Sequence, residues 1–159
     1  MTGNEFDALD DTDFNIVVDL PSDGLIVNLV GNENDATSAG AIACLYNAAG
    51  DYLAIRTNIS GKIITGYTGT GYSHTGGAIG KEFGKAGGDT NNSVVKEIYL
   101  DCTNNAGSVI GAVNSSVGAT CTGGAIGKFD SYPTKNINRK VAINVVNYGA
   151  IRARGDGEG

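Results

Sequence analysis

Apolar residues in this chain come in short runs, several alternating with polar neighbours, each broken by Gly, Asn, Pro or Asp. "FNIVVDL" (Phe14–Leu20), "LIVNLVG" (Leu25–Gly31) and "KIITGY" (Lys62–Tyr67) are runs of this kind. They read as β-strands. "PSDG" (Pro21–Gly24) reads as a turn between the first two. In Ala41–Asn58, Ile42, Cys44 and Tyr46 share one face, Leu53 and Ile55 share another, and Gly50-Asp51 falls where a turn needs it. This pattern predicts a β-hairpin, with a helix from Ala39 to Ala49 as the rival reading. Residues 66–92 are nearly all Gly, Thr, Ser, Asn and Lys and are expected to form a long loop region. "SVVKEIYLDC" (Ser93–Cys102), "SVIGAV" (Ser108–Val113) and "RKVAINVVNYGAIRAR" (Arg139–Arg154) complete the strand candidates. In the last of these, Val141, Ile143 and Val145 alternate with Ala142, Asn144 and Val146.

Many short strands without a clear helix predict an all-β fold. The expected form is an antiparallel β-sandwich, jelly-roll or immunoglobulin-like, with long Gly-rich loops. A parallel solenoid would want more than two repeats. The chain divides into an acidic arm (1–13), one domain (14–154) and a short tail (155–159).

One repeat is plain. "TGGAIGK" occurs at Thr75–Lys81 and again at Thr122–Lys128, 47 positions apart. It fails as a phosphate loop. Glu82 and Phe129 stand where Ser or Thr must follow the lysine, and Thr75 stands where the first glycine belongs. Sliding 39–85 onto 86–132 without a gap matches 14 of 47 positions, which favours an internal duplication. On that reading Gly76, Gly77, Gly123 and Gly124 form structural turns, through positive φ or close backbone approach. Ile79 and Ile126 anchor the turns in apolar surroundings, leaving Lys81 and Lys128 exposed.

Composition fits this picture. The chain has 159 residues, enough for one domain with a real core, and 25 are glycine. No apolar stretch is long enough to span a membrane as a helix. "MTGNEFDALDDTDF" lacks the basic and apolar regions of a secretory signal, so synthesis in a cytoplasm is expected. Charge is segregated: residues 1–55 hold ten acids and no Lys or Arg, while residues 131–155 hold five bases and no acid. We expect the acidic arm and the basic end to be assembly elements. Phe6 and Leu9 are the arm's anchors, Asp10, Asp11 and Asp13 steer it, and Lys135, Arg139, Lys140, Arg152 and Arg154 are the basic set. So acidic a protein is a poor candidate for nucleic-acid binding.

Candidate chemistry is sparse. His74 is the only histidine, so a His pair is excluded, and a Cys44–His74 pair has no local support. Cys44, Cys102 and Cys121 contain no CxxC and read as free thiols, with a Cys102–Cys121 bridge as the alternative. "DDTDFN" (Asp10–Asn15) lacks the Gly and Glu of a calcium-binding EF-hand loop. Arg154-Gly155-Asp156 reads as a chance tripeptide in a Gly-rich tail. A glycan site would have to rest on Tyr67 and Tyr72. No catalytic residue, cofactor or metal site is expected.

The stretch "LIVNLVGNENDATSAGAIACLYNAAGDYLAIRTN", with "KEIYLDCTNNAGSVIGAV" after it, resembles small β-rich virion proteins of tailed bacteriophages, of the head-decoration (cement) or tail-accessory type. The likeness covers residues 14–113. It implies a structural subunit without catalysis, forming a small homo-oligomer, often a trimer, on a capsid or tail protein. Two alternatives stand beside it: an extracellular filament or surface-layer subunit assembled through the N-terminal arm, and a carbohydrate-binding tail-fibre module.

Overall fold

The computed structural model describes residues 9–30, 35–46, 50–68, 71–85, 95–114, 120–132 and 139–155. Its strands follow one another in a repeating circuit. The first coil holds β1 (Ile16–Leu20), β2 (Leu25–Val30), β3 (Ala36–Ala39) and β4 (Ile42–Tyr46). The second holds β5 (Gly50–Ile59), β6 (Lys62–Tyr67), β7 (Ser73–Gly76) and β8 (Ile79–Lys85). The third holds β9 (Val95–Asn104), β10 (Val109–Asn114), β11 (Thr120–Gly123) and β12 (Ile126–Tyr132). A fourth begins with β13 (Lys140–Asn147) and β14 (Ala150–Gly155).

Each strand pairs, in parallel, with the strand at the same station of the neighbouring coil. Sheet A is β1-β5-β9-β13, sheet B is β2-β6-β10-β14, sheet C is β3-β7-β11 and sheet D is β4-β8-β12. Every ladder is parallel. The fold is therefore a parallel β-solenoid, in which coils contact their neighbours along one axis. This corrects the expected antiparallel sandwich. Alternation at period two is common to both pairings, and the turn read at Pro21–Gly24 serves here as a solenoid corner. The expected hairpin at 41–58 is two strands in different sheets, β4 in D and β5 in A. The expected loop at 66–92 contains β7 and β8. The run 139–154 is two strands, broken at Tyr148-Gly149.

The core follows the columns of the sheets. Ile16, Ile55 and Leu100 stack in register on the inner face of sheet A, and Ile42, Ile79 and Ile126 stack in sheet D. Ile55, Ile79, Ile98, Leu100 and Cys102 are fully buried together where the two sheets meet. A second cluster of Ile59, Ile63 and Ile110 fills the turn from A to B. On the outer face of sheet A, Phe14 and Leu9 cover Ala54, Tyr99 and Ala142.

The heptapeptide is the corner between sheets C and D. Thr75–Gly76 pairs with Thr122–Gly123, and Ile79 with Ile126, so the 47-residue repeat is one coil of the solenoid. A third copy lies in the first coil, as "SAGAIAC" (Ser38–Cys44). At this corner Gly40, Gly77 and Gly124 stack so closely that a Cβ on Gly40 would overlap the Gly77 carbonyl, and one on Gly77 the Gly124 carbonyl. Gly76 and Gly123 likewise leave no room beside the carbonyls of Ile79 and Ile126. Close approach, and not positive φ, is the reason for glycine here; the only positive-φ glycine among the described residues is Gly107.

The corner between sheets A and B alternates in length. It is Pro21–Gly24, then Ser60-Gly61, then Asn105–Ser108, then Tyr148-Gly149. The long corners close as turns, with Gly24 N donating to Pro21 O and Ser108 N to Asn105 O. The two extra residues of Asn105–Ser108 move sheet A out of the 47-residue step. Tyr52 lies opposite Glu97, not Tyr99, and Asn58 opposite Thr103, not Asn105. The gapless duplication thus holds in sheets B, C and D, where Ile63 does meet Ile110, and slips by two residues in sheet A.

Candidate functional site

Sheet B turns one face to solvent, and that face is apolar. In register across the strands run the columns Leu25–Lys62–Val109–Ala150, Val27–Ile64–Gly111–Arg152 and Leu29–Gly66–Val113–Arg154. Leu25, Val27, Leu29 and Val113 are exposed, Leu29 to 74%. Leu29 lies over Gly66, where a Cβ would meet its Cδ2 at 2.6 Å. A shallow depression between Ser22, Asp23, Leu25, Val27, Lys62 and Ile64 marks the corner end of this face. Exposed apolar faces of this kind are docking surfaces more often than they are solvent surfaces. The signal was present in the sequence: in "LIVNLV" Leu25, Val27 and Leu29 form one wholly apolar set, and the other set is apolar apart from Asn28, so one apolar set must face outward if the other fills the core.

A buried polar cluster lies at sheet C, whose β7 is buried along its whole length. Its hydroxyls form a chain towards sheet B: Thr75 Oγ1 donates to Thr65 Oγ1 at 2.7 Å and is 3.1 Å from Gly111 O. Ser38 Oγ also meets Thr65 Oγ1. Among the other groups is His74, wholly buried, with Nε2 3.7 Å from Asp35 Oδ2. Asp35 accepts from Lys81 Nζ at 2.6 Å and from the Tyr72 amide at 3.1 Å. The Tyr72 ring stacks on the imidazole with centroids 6.1 Å apart. Burial lowers the His74 pKa to about 4, the Lys81 charge adds to this, and Asp35 opposes it in part. His74 is therefore neutral at neutral pH. Burial acts to raise Asp35, but the Lys81 hydrogen bond, the Tyr72 amide and the charges of Lys81 and His74 outweigh it and hold the carboxyl below its ordinary value. Thr37 and Cys121 flank His74 in register. The imidazole could act as a base in principle, but with no exposed surface it is beyond a substrate's reach. Lys81, expected to be exposed, is instead a member of this cluster.

The predicted assembly residues are dispersed. Phe6 and Lys135 lie outside the described residues. Leu9 packs on the outer cluster of sheet A. Asp10 caps a short 3-10 turn, Asp11–Asp13, accepting from Thr12 N, while Asp13 accepts from Asp10 N. Asp11 pairs with Arg56, whose Nε also donates to Asp101 at 3.0 Å. The described part of the acidic arm thus meets Arg56, not the basic C-terminal set. Arg139 is half-buried, its side chain donating to Glu82 Oε1 at 2.7 Å and to Val95 O at 2.9 Å. Its role is to tie sheet D to sheet A. Lys140 lies over the Tyr99 ring, 5.1 Å from its centroid. Arg152 and Arg154 are exposed at the rim of sheet B's outer face.

The remaining candidates resolve by position. Tyr67 is buried, with its hydroxyl accepting from Gly71 N, so it cannot offer a ring to a sugar. The three cysteines are free, and burial pushes the Cys102 thiol up to about 11, which makes it a poor nucleophile. No group of metal-ligating side chains occurs among the described residues.

No protein-family model matches the chain, and no match is found among curated proteins or solved structures.

Proposed function

We propose that this protein is a non-catalytic structural subunit that docks on a larger assembly through the outer face of sheet B. The observation that carries this reading is the row of Leu25, Val27, Leu29, Ile64, Val109 and Val113 on a sheet face that no described element covers. A flat face flanked by Lys62, Arg152 and Arg154 suits a protein surface with apolar contacts and an acidic rim. The sequence resemblance supplies the setting: the virion of a tailed bacteriophage, with a head shell or tail protein as partner and this chain as a decoration subunit. The rigid solenoid supports such a role, since docking then orders few side chains.

The test is co-sedimentation with purified heads and tails of tailed phages, using the full chain and the variants Val27→Lys and Leu29→Asp. Wild type should pellet with particles and both variants should stay in the supernatant, with unchanged far-UV circular dichroism. Wild type that never pellets, or variants that pellet equally well, would overturn the reading.

A further inference from the structure

Cys121 and His74 stand side by side where the second and third coils meet. β11 pairs with β7 in register, Cys121 opposite His74, and Thr37 of β3 lies on the other side of the imidazole. The residues before and after this column turn inward: Ser73 Oγ meets Thr120 Oγ1, and Thr75 Oγ1 reaches Thr65 Oγ1. His74 and Cys121 therefore share the opposite face of sheet C. The imidazole is wholly buried there, and neither of its nitrogens has a hydrogen-bond partner among the described groups. A buried polar group left in this state costs free energy unless something binds it. Cys121 is a free, half-buried thiol, so it gives the column access to solvent.

The orientation of the ring decides which nitrogen is available. Nε2 looks towards the first coil, 3.7 Å from Asp35 Oδ2. An imidazole carries its nitrogens on opposite edges, so Nδ1 looks towards the third coil and Cys121. The Asp35 carboxylate favours the proton on Nε2, which leaves the Nδ1 lone pair turned to the sulfur. A carboxylate behind the far nitrogen is the arrangement that metal-binding histidines use.

We propose that Cys121 Sγ and His74 Nδ1 form a two-coordinate site for a soft, singly charged metal ion, copper(I), which clips the third coil to the second. Thiolate and imidazole both suit copper, and thiolate selects its soft, reduced form. Bonds of about 2.3 Å to sulfur and 2.0 Å to nitrogen, as at zinc sites, span about 4.3 Å in a line. That span fits two side chains on strands about 4.8 Å apart. On binding, the thiol proton leaves to solvent, one sulfur–copper and one nitrogen–copper bond form, and copper keeps its oxidation state.

Donor count and charge select copper(I) over its rivals. No three metal-ligating side chains gather among the described residues, so zinc, with its four ligands, is not served. Asp35 already accepts from Lys81 Nζ and the Tyr72 amide, and Thr37 offers only a hard hydroxyl. Lys81 and Lys128 place positive charge near the imidazole, Lys128 Nζ lying 5.5 Å from the centroid of the Tyr72 ring that stacks on it. A dication is repelled there twice as strongly as a monocation, and the thiolate neutralises a monocation fully.

The test uses the full chain with Cys44→Ser, which removes the exposed thiol of sheet D. Copper(I) is supplied as its bicinchoninate complex, with ascorbate and without oxygen. The chain should withdraw one copper(I) per molecule, and X-ray absorption should find one sulfur and one nitrogen bound to the metal. His74→Gln should weaken binding at least about a hundredfold, more than loss of an outer-shell partner does, and Cys121→Ala should abolish it. Copper(I) should raise the melting temperature of the parent and of neither variant, because a clip between β7 and β11 binds only the folded chain. Val27→Lys, on the outer face of sheet B, should bind copper(I) as the parent does, which separates this inference from the docking role. If either ligand variant loses its native circular dichroism, the atoms bound to copper in the parent decide alone. A chain that withdraws no copper(I), a metal bound by sulfur without nitrogen, or a folded His74→Gln variant that binds as tightly as the parent would overturn the inference.

Discussion

At the scale of single residues, the solenoid is governed by where a side chain cannot be tolerated. Gly77 lies between Gly40 and Gly124 in the tightest corner, and an added methyl would overlap the Gly124 carbonyl. Backbone cannot retreat there without breaking the bonds from Ala78 N and Ile79 N to Ala125 O. Gly77→Ala should therefore cost at least about 3 kcal/mol, the upper range for overpacking. Gly50→Ala is the control: its nearest neighbour would be Val95 Cγ2 at 4.0 Å, so the change should stay within about 0.5 kcal/mol. Urea unfolding of both variants checks the contrast. His74 gives a second prediction. Its folded pKa of about 4 lies below the ordinary 6.5, so between these values the unfolded chain binds more protons than the folded one. Stability must then fall as pH falls, by about 2 kcal/mol between pH 7 and 5. The depressed Asp35 adds a further loss only in the carboxylate range, at still lower pH. Denaturation curves at pH 7 and 5 should show this loss in wild type and not in His74→Gln.

At the scale of elements, the sequence displayed most strands and hid how they pair. Lys62–Tyr67 is read in the sequence with the bounds it has in the fold, and Phe14–Leu20 and Leu25–Gly31 are each within two residues. Their alternating side chains report one buried face, and that is a local property. The partner across the ladder is not local. Gly50-Asp51 has hairpin chemistry, yet it opens β5 of sheet A, while the strand before it, β4, belongs to sheet D. The short strands of sheet C were invisible for a different reason. Ser73–Gly76 is buried on both sides by small and polar residues that satisfy one another, as Thr75 and Thr65 do, so it lacks the apolar mark of a core strand. The decisive clue was the third "GAI", at Gly40–Ile42, beside those at Gly77–Ile79 and Gly124–Ile126. Two copies suggest duplication of a unit; three at one station of successive coils define a solenoid. Its unequal spacing, 37 residues and then 47, concealed it from a gapless comparison. The apolar face of sheet B was legible in "LIVNLV", but only once a sheet with an uncovered side was known. The buried His74 cluster was not, since Asp35, His74 and Lys81 come from separate elements that only the coil geometry unites.

At the scale of the whole molecule, cohesion runs along one axis. Each coil is held by ladders to the coil before and the coil after, and no described strand links coils that are not neighbours. Stability in such an array is a sum over coils and the contacts between them, so opening begins at the ends. The interior coils, β5–β8 and β9–β12, have partners on both sides in sheet A and sheet B, and the second coil has them in all four sheets. Among the described strands, those of the first coil and the pair β13 and β14 have a ladder partner on one side only. Hydrogen exchange followed by mass spectrometry should therefore grade along the chain. Amides of β5, β6, β7 and β8 should exchange slowest, and those of β1, β2, β13 and β14 faster. Exchange at one common rate in all four coils would mean that the chain opens as a single unit, and the one-dimensional account of its stability would be wrong.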